Sequence, residues 1–331
     1  MRKRIFYTTL IIVITLLITL LFITPTIEKF QDTRGYDIII IAGQSNSIGR
    51  GLEEHRFPKT SGGMNHKTWS QTINMYADDY FGNNGKRNSL ICSLNKNSSV
   101  QKSAIDPIHH QEPYPYRFRN RDVTRNFGFA VSFAREYIRQ GKLASGRKIL
   151  LVGCGYGNTG FRNSGGWMFP NGNLYLGTIS RANSAFSKTD EGNTNRYVAI
   201  LWHQGEFDIS NSNNYKENVS NTLNGIRNTI QRTNSQSVPI LMGGLTTLGQ
   251  SHRNFTEQFI RPVKDMSGNT NFHFVPSNAM PEVYYKNLRL FDHDLLSDKD
   301  TGDNHFSKSS QIEFGKRYFY IFNKNKFDIQ T

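Results

Sequence analysis

Four short stretches of this sequence carry side chains that can do chemistry, and three of them directly follow a run that reads as a strand. Ser45 sits in Gly43-Gln44-Ser45-Asn46, behind Ile38-Ile39-Ile40-Ile41. A glycine-rich turn, Gly153 to Gly160, follows Lys148–Val152, and Gln204 follows Tyr197–Trp202. Asp303-Asn304-His305 stands just ahead of the last helical stretch. These residue types suit acyl transfer. A serine hydroxyl is a poor nucleophile until an imidazole takes its proton, and a carboxylate can fix the tautomer of that imidazole. The tetrahedral oxyanion then needs waiting donors, and losing one costs roughly 3–4 kcal/mol of barrier. Candidate donors are the N–H of Ser45, the N–H of Gly157 and the side-chain amide of Gln204. Taken alone, the first stretch reads as a strand and an ordinary polar turn; the agreement of four sets is what it lacks by itself.

Positioning these residues takes a sheet. Four consecutive isoleucines read as a strand buried on both faces, as in the middle of a parallel sheet. Lys148–Val152, Tyr197–Trp202, Val238–Met242 and Phe272–Val275 read as four more strands. Phe127, Ala130, Val131, Ala134, Tyr137 and Ile138 recur at helical spacing, with Gly141 placed to stop the helix. Thr178–Phe186 (weakly), Tyr215–Arg232, Phe255–Val263 and Lys308–Phe322 read as further helices, the last capped by Ser307. Strands alternating with helices imply a parallel sheet covered on both faces, whose ligands sit beyond the carboxyl ends of the strands. Residues 52–125 show no sustained period, so short local elements are expected there.

The blocks Gly43-Gln44-Ser45-Asn46, Gly155-Tyr156-Gly157-Asn158-Thr159, Trp202-His203-Gln204-Gly205-Glu206-Phe207-Asp208 and Asp303-Asn304-His305-Phe306-Ser307 resemble those of the SGNH hydrolase superfamily. The nearest likeness is to the carbohydrate esterase group that includes sialate O-acetylesterases and acetylxylan esterase-like proteins. It runs from about Tyr36 to Tyr320, and Asp106-Pro107-Ile108-His109 and the helix near Phe127 also resemble segments of that group. The resemblance implies an α/β, flavodoxin-like three-layer sandwich on a five-stranded parallel sheet, no metal or other cofactor, and hydrolysis of O-acetyl esters on a carbohydrate. Ser45 matches the nucleophile, His305 the base, Gly157 the second-block glycine, and Gln204 the third-block amide donor. One departure stands out. The group's acid lies three residues before the histidine, where this chain has Gly302. Asp303 is the expected acid, with Asp300 or a backbone carbonyl as rivals.

Trp167, in Gly165-Gly166-Trp167, could stack on a sugar ring or pack in the core. Arg50 could brace the first turn or approach an acidic substrate, and Asn158 is a third candidate contact. Trp202 and His203 are expected to be structural, Glu206 and Asp208 to hold their loop, and His109 and His110 to be loop residues.

The chain has 331 residues, 37% hydrophobic and 12% aromatic, enough for a sizeable core. Met1–Arg4 is basic and precedes an uncharged run from Ile5 to Ile23, long enough as a helix to cross a bilayer. No small-residue cleavage site follows it, so a membrane anchor is expected, with the amino terminus cytoplasmic and the domain outside; secretion after signal cleavage is the alternative. The expected organisation is a tail (1–4), anchor (5–23), linker (24–35), one esterase-type domain (36–323) and a short tail (324–331). The formal net charge is +14, but Lys and Arg are scattered rather than gathered in a stripe, so no nucleic-acid partner is expected. Two cysteines, Cys92 and Cys154, are too few for a zinc site. Beside an esterase, two further readings stand: a carbohydrate O-acyltransferase on the same site, and a glycan-binding protein of weak or lost turnover.

Overall fold

The structure, a computed structural model, describes residues 34–50, 90–102, 104, 106, 108–111, 127–161, 166–188, 194–230, 238–247, 249–279, 283–285, 288–290, 295 and 304–326. The expected anchor, 5–23, lies outside them; among the described residues no helix is long and apolar enough to cross a membrane.

Strand β1, Gly35–Gly43, is buried along its whole length. Successive side chains of a strand point to opposite faces, so Ile38 and Ile40 enter one hydrophobic cluster and Ile39 and Ile41 the other. A short helix, α1 (Ser45–Ile48), follows. Next come β2 (Ile91–Leu94), β3 (Val100–Gln101), α2 (Ala130–Arg139) and β4 (Arg147–Gly153). The second half runs α3 (Asn173–Phe186), β5 (Arg196–His203), α4 (Tyr215–Ile230), β6 (Ile240–Gly243), α5 (Gln250–Phe255) and β7 (Phe272–Val275). A two-stranded ribbon, β8 (Val283–Tyr285) with β9 (Leu288–Leu290), precedes α6 (Lys308–Lys326). Ser307 caps α6, its hydroxyl accepting the Ser310 N–H at 3.3 Å.

The sheet corrects the expected architecture. It has seven strands in the order β3-β2-β4-β1-β5-β6-β7, and it is mixed, because β3 pairs antiparallel to β2. The five expected strands form the contiguous parallel block β4-β1-β5-β6-β7. Strand β2 adds to that block through β4. Four residues, Ile91-Cys92-Ser93-Leu94, are too few to leave a period in the sequence, which hid this strand inside the excursion 52–125. Helices α3 and α4 cover one face with Leu174, Ala182, Val219, Leu223 and Ile226. The other is covered by α2 and α6 through Phe133, Tyr137, Phe314, Tyr318 and Phe322. Cys92 and Cys154 are buried and free.

Two features set where ligands can meet the sheet. At the amino ends, the Asp37 carboxylate on β1 accepts hydrogen bonds from Arg147 of β4 at 2.7 Å, Arg196 of β5 at 2.7 Å and the Tyr137 hydroxyl at 2.8 Å. Burial pushes this carboxyl up, but those partners more than offset it and hold it below the usual range. At the carboxyl ends, β4 and β5 flank β1 while the chain builds outward in opposite directions, which makes the exit of β1 a topological switch point.

Candidate active site

The nucleophile turn is dictated by close approach. Gly43 has φ +123°, and a Cβ there would lie 2.0 Å from the His203 carbonyl oxygen. Only glycine lets β1 end so near β5. The Gln44 N–H then donates to that carbonyl at 2.9 Å, and Ser45 begins α1 with 4% of its surface exposed.

Asn46 is the joint of the site. Its side-chain Nδ2 donates to Glu206 Oε1 at 2.6 Å and to the Asn304 carbonyl at 2.8 Å. Its Oδ1 accepts the Phe306 N–H at 3.1 Å and the Gln311 amide at 3.3 Å. The residue after Ser45 therefore grips both chain neighbours of His305, across some 260 residues of sequence. His305 is 7% exposed, with Nδ1 buried. Asp303 and Asp300, the candidate acids, lie outside the described residues.

Behind Asn46, Glu206 Oε1 also meets His203 Nε2 at 3.0 Å. Burial pushes the Glu206 carboxyl up, but His203, a backbone N–H and the Asn46 amide outweigh that and keep it below the usual range, so it stays ionised. His203 is enclosed by the rings of Phe129, Phe306 and Phe314, a structural place as its sequence position suggested.

Gln204 is fully buried and faces inward. Its Nε2 donates to Asp208 Oδ2 at 2.6 Å, the Thr159 carbonyl at 3.2 Å and Gln44 Oε1 at 3.3 Å. Asp208 in turn accepts the Phe161 N–H. Gln204 thus ties the third block to the first and second, and its two N–H groups already point at protein acceptors. In the second block the Tyr156 N–H donates to the Gly43 carbonyl at 2.9 Å. Gly157 is buried beyond it, and Asn158 is exposed with φ 55°.

Trp167 is 0% exposed, packed edge-on against Trp202 at 4.9 Å, and its Nε1 donates to Thr159 Oγ1 at 3.1 Å. It supports the second block from inside, the packing alternative of the two readings, and presents no face for a sugar. Arg50 is buried. Among the described residues no group of three His, Cys, Asp or Glu is placed to hold a metal.

The sequence blocks alone assign no role to Asn46, and His110 reads there as a loop residue. A buried amide has two donors and an acceptor to satisfy, so a polar residue directly after the serine was the available signal for Asn46.

A sheet that gathers a serine, a histidine, a glycine turn and a buried amide at its switch point has the layout of an α/β esterase. The chain belongs to the family described as carbohydrate esterase, sialic acid-specific acetylesterase, which matches residues 35–324, and it is a carbohydrate acetylesterase. The crystal structure of NanS shares its fold, with 16% identity and TM-score 0.57 over 88% of this chain and 98% of that one. So does a protein from Arabidopsis thaliana, with 17% identity and TM-score 0.55 over 87% of this chain and 98% of that one. No curated protein matches the chain in sequence.

Proposed function

We propose that this acetylesterase works through an acyl-enzyme on Ser45, with His305 as general base. His305 takes the Ser45 proton as the hydroxyl attacks the acetyl carbonyl, then gives it to the departing sugar oxygen. Water, activated by the same imidazole, attacks the acyl carbonyl and frees acetate. Oxyanion donors are the N–H groups of Ser45 and Gly157. Gln204, whose amide faces Asp208, serves chiefly to hold the second and third blocks together. Asp303 orients His305, with Asp300 or a backbone carbonyl as the alternatives. The observation that carries this reading is the Asn46 side chain, which fixes both neighbours of His305 beside the serine.

The test is release of p-nitrophenol from its acetate ester by wild type, Ser45→Ala and His305→Ala. Both variants are expected to fall by about 10³-fold or more, while wild type acetylates on Ser45. Equal rates in wild type and Ser45→Ala would sink the mechanism. A panel of acetylated sialic acid, xylan, peptidoglycan and simple hexoses identifies the sugar. Hydrolysis there without acetyl transfer to an added sugar separates esterase from acyltransferase.

A further inference from the structure

We propose that His110 is a positioning residue for the esterase reaction, and that its unprotonated Nδ1 sets the direction of the glycine turn supplying the Gly157 oxyanion donor. This rests on the mechanism proposed above.

Three consecutive residues, His109-His110-Gln111, dock along the exit of β4. The His109 carbonyl accepts from Arg181 at 3.3 Å, and Arg181 Nε donates to the Gly153 carbonyl at 2.7 Å. Gln111 Nε2 donates to the Cys154 carbonyl at 2.8 Å and to the Leu174 carbonyl and Thr178 hydroxyl at 3.0 Å. Between them, His110 Nδ1 accepts the Gly155 N–H at 2.9 Å. The next N–H, of Tyr156, is bound to the Gly43 carbonyl at the end of β1. Two successive peptides are therefore fixed, one by His110 and one by the nucleophile strand, and the Gly157 peptide follows directly.

The fit is tight on every side. A Cβ on Gly153 would lie 2.3 Å from the His109 carbonyl oxygen and 2.9 Å from the His110 ring. One on Gly155 would lie 2.5 Å from Ser47 Oγ and 3.1 Å from His110 Nδ1. The imidazole is thus wedged against the turn beside α1, two residues from Ser45. An acceptor at Nδ1 requires the neutral ring with its proton on Nε2. Burial, with Arg181 and His109 nearby, pushes the His110 pKa down to about 3, so the ring stays an acceptor across the working range. Among the described residues its buried Nε2 has no hydrogen-bond partner. A side chain kept for packing alone would do better without that stranded donor, whereas a side chain kept for the Nδ1 lone pair carries it as a consequence.

The decisive comparison is His110→Asn, His110→Gln and His110→Leu, assayed with p-nitrophenyl acetate alongside Ser45→Ala. Asn places an oxygen where Nδ1 lies; Gln and Leu do not. We expect kcat to fall about tenfold or more in Leu and Gln with KM within about twofold of wild type, and Asn to recover most of the loss. Equal kcat in Leu and wild type overturns the inference, as does an Asn variant no better than Leu at matched thermal stability. Nitrogen NMR of the wild-type imidazole needs no variant: Nδ1 should be unprotonated from pH 5 to 8, and a proton found there overturns the inference as well. If Ser45→Ala keeps the wild-type rate, the mechanism fails. If Ser45 is required while the His110 variants keep their kcat, only the His110 assignment fails.

Discussion

Replacing Asn46 with alanine removes four contacts from a fully buried position without touching Ser45 or His305. The Phe306 N–H loses its acceptor, and Glu206 Oε1 loses the Asn46 donor. An unsatisfied buried polar group costs about 1–3 kcal/mol, so a stability loss of about 2–4 kcal/mol is expected. The effect on turnover is separate. With neither neighbour of His305 held, a displacement of the imidazole near 1 Å would lower kcat on the order of 10²-fold, about 2.7 kcal/mol of barrier. KM should barely move, because the side chain faces the interior. The assay is steady-state hydrolysis of p-nitrophenyl acetate at a temperature where the variant is folded, with melting followed in parallel. Asn46→Asp sharpens the test. It keeps the Oδ1 acceptor but sets a second carboxylate against ionised Glu206, and one of such a pair holds its proton more tightly. Relative to wild type at the same pH, its activity should therefore be better near pH 5 than near pH 8. An Asn46→Ala enzyme with kcat within about threefold of wild type would refute the clasp as the device that aligns His305.

Two predictions concern stability and pH. Asp106 is buried with one oxygen 3.4 Å from the Gly128 N–H, and burial raises its carboxyl from 3.8 to about 7. The folded state therefore binds a proton that the unfolded chain gives up, and this contribution is lost as pH rises from about 4 to 7. Asp106→Asn should gain on wild type across that window, on the order of 4 kcal/mol at most, and hold the gain above it. Thermal unfolding at pH 4, 6 and 8 reads this directly, and a pH-independent difference would count against it. Asp37 has the opposite sign, since its folded pKa lies below the ordinary 3.8. Asp37→Asn should destabilise by about 3–5 kcal/mol at neutral pH by stranding Arg147. The gap from wild type should close as pH falls below that ordinary value.

Ser45, the glycine turn and Gln204 were legible because each follows a strand, and a parallel sheet brings strand exits to one edge; His305 was legible from its place just ahead of the last helix. The isoleucine run was legible for a related reason: four β-branched residues in a row suit burial on both faces. Helix α3 begins at Asn173, five residues before its expected start, since extended Gly172 sets its first turn. Lost from the sequence were contacts between residues far apart. Nothing local to Asn46 says that Phe306 will lie over its side chain, and nothing local to His110 says that Gly155 will turn toward it. Trp167 carried two readings because an aromatic residue after a glycine pair can face either way until the partner ring, Trp202, is in place.

The central claim, that Ser45 and His305 act in one pocket, is tested most directly by labelling with a fluorophosphonate and mapping the modified peptide. The reagent reacts only with a serine activated by a base. We predict stoichiometric modification of Ser45 in wild type, and modification slower by about 10²-fold or more in His305→Ala. Labelling confined to another residue, or a Ser45 labelled as fast without His305 as with it, would contradict the account.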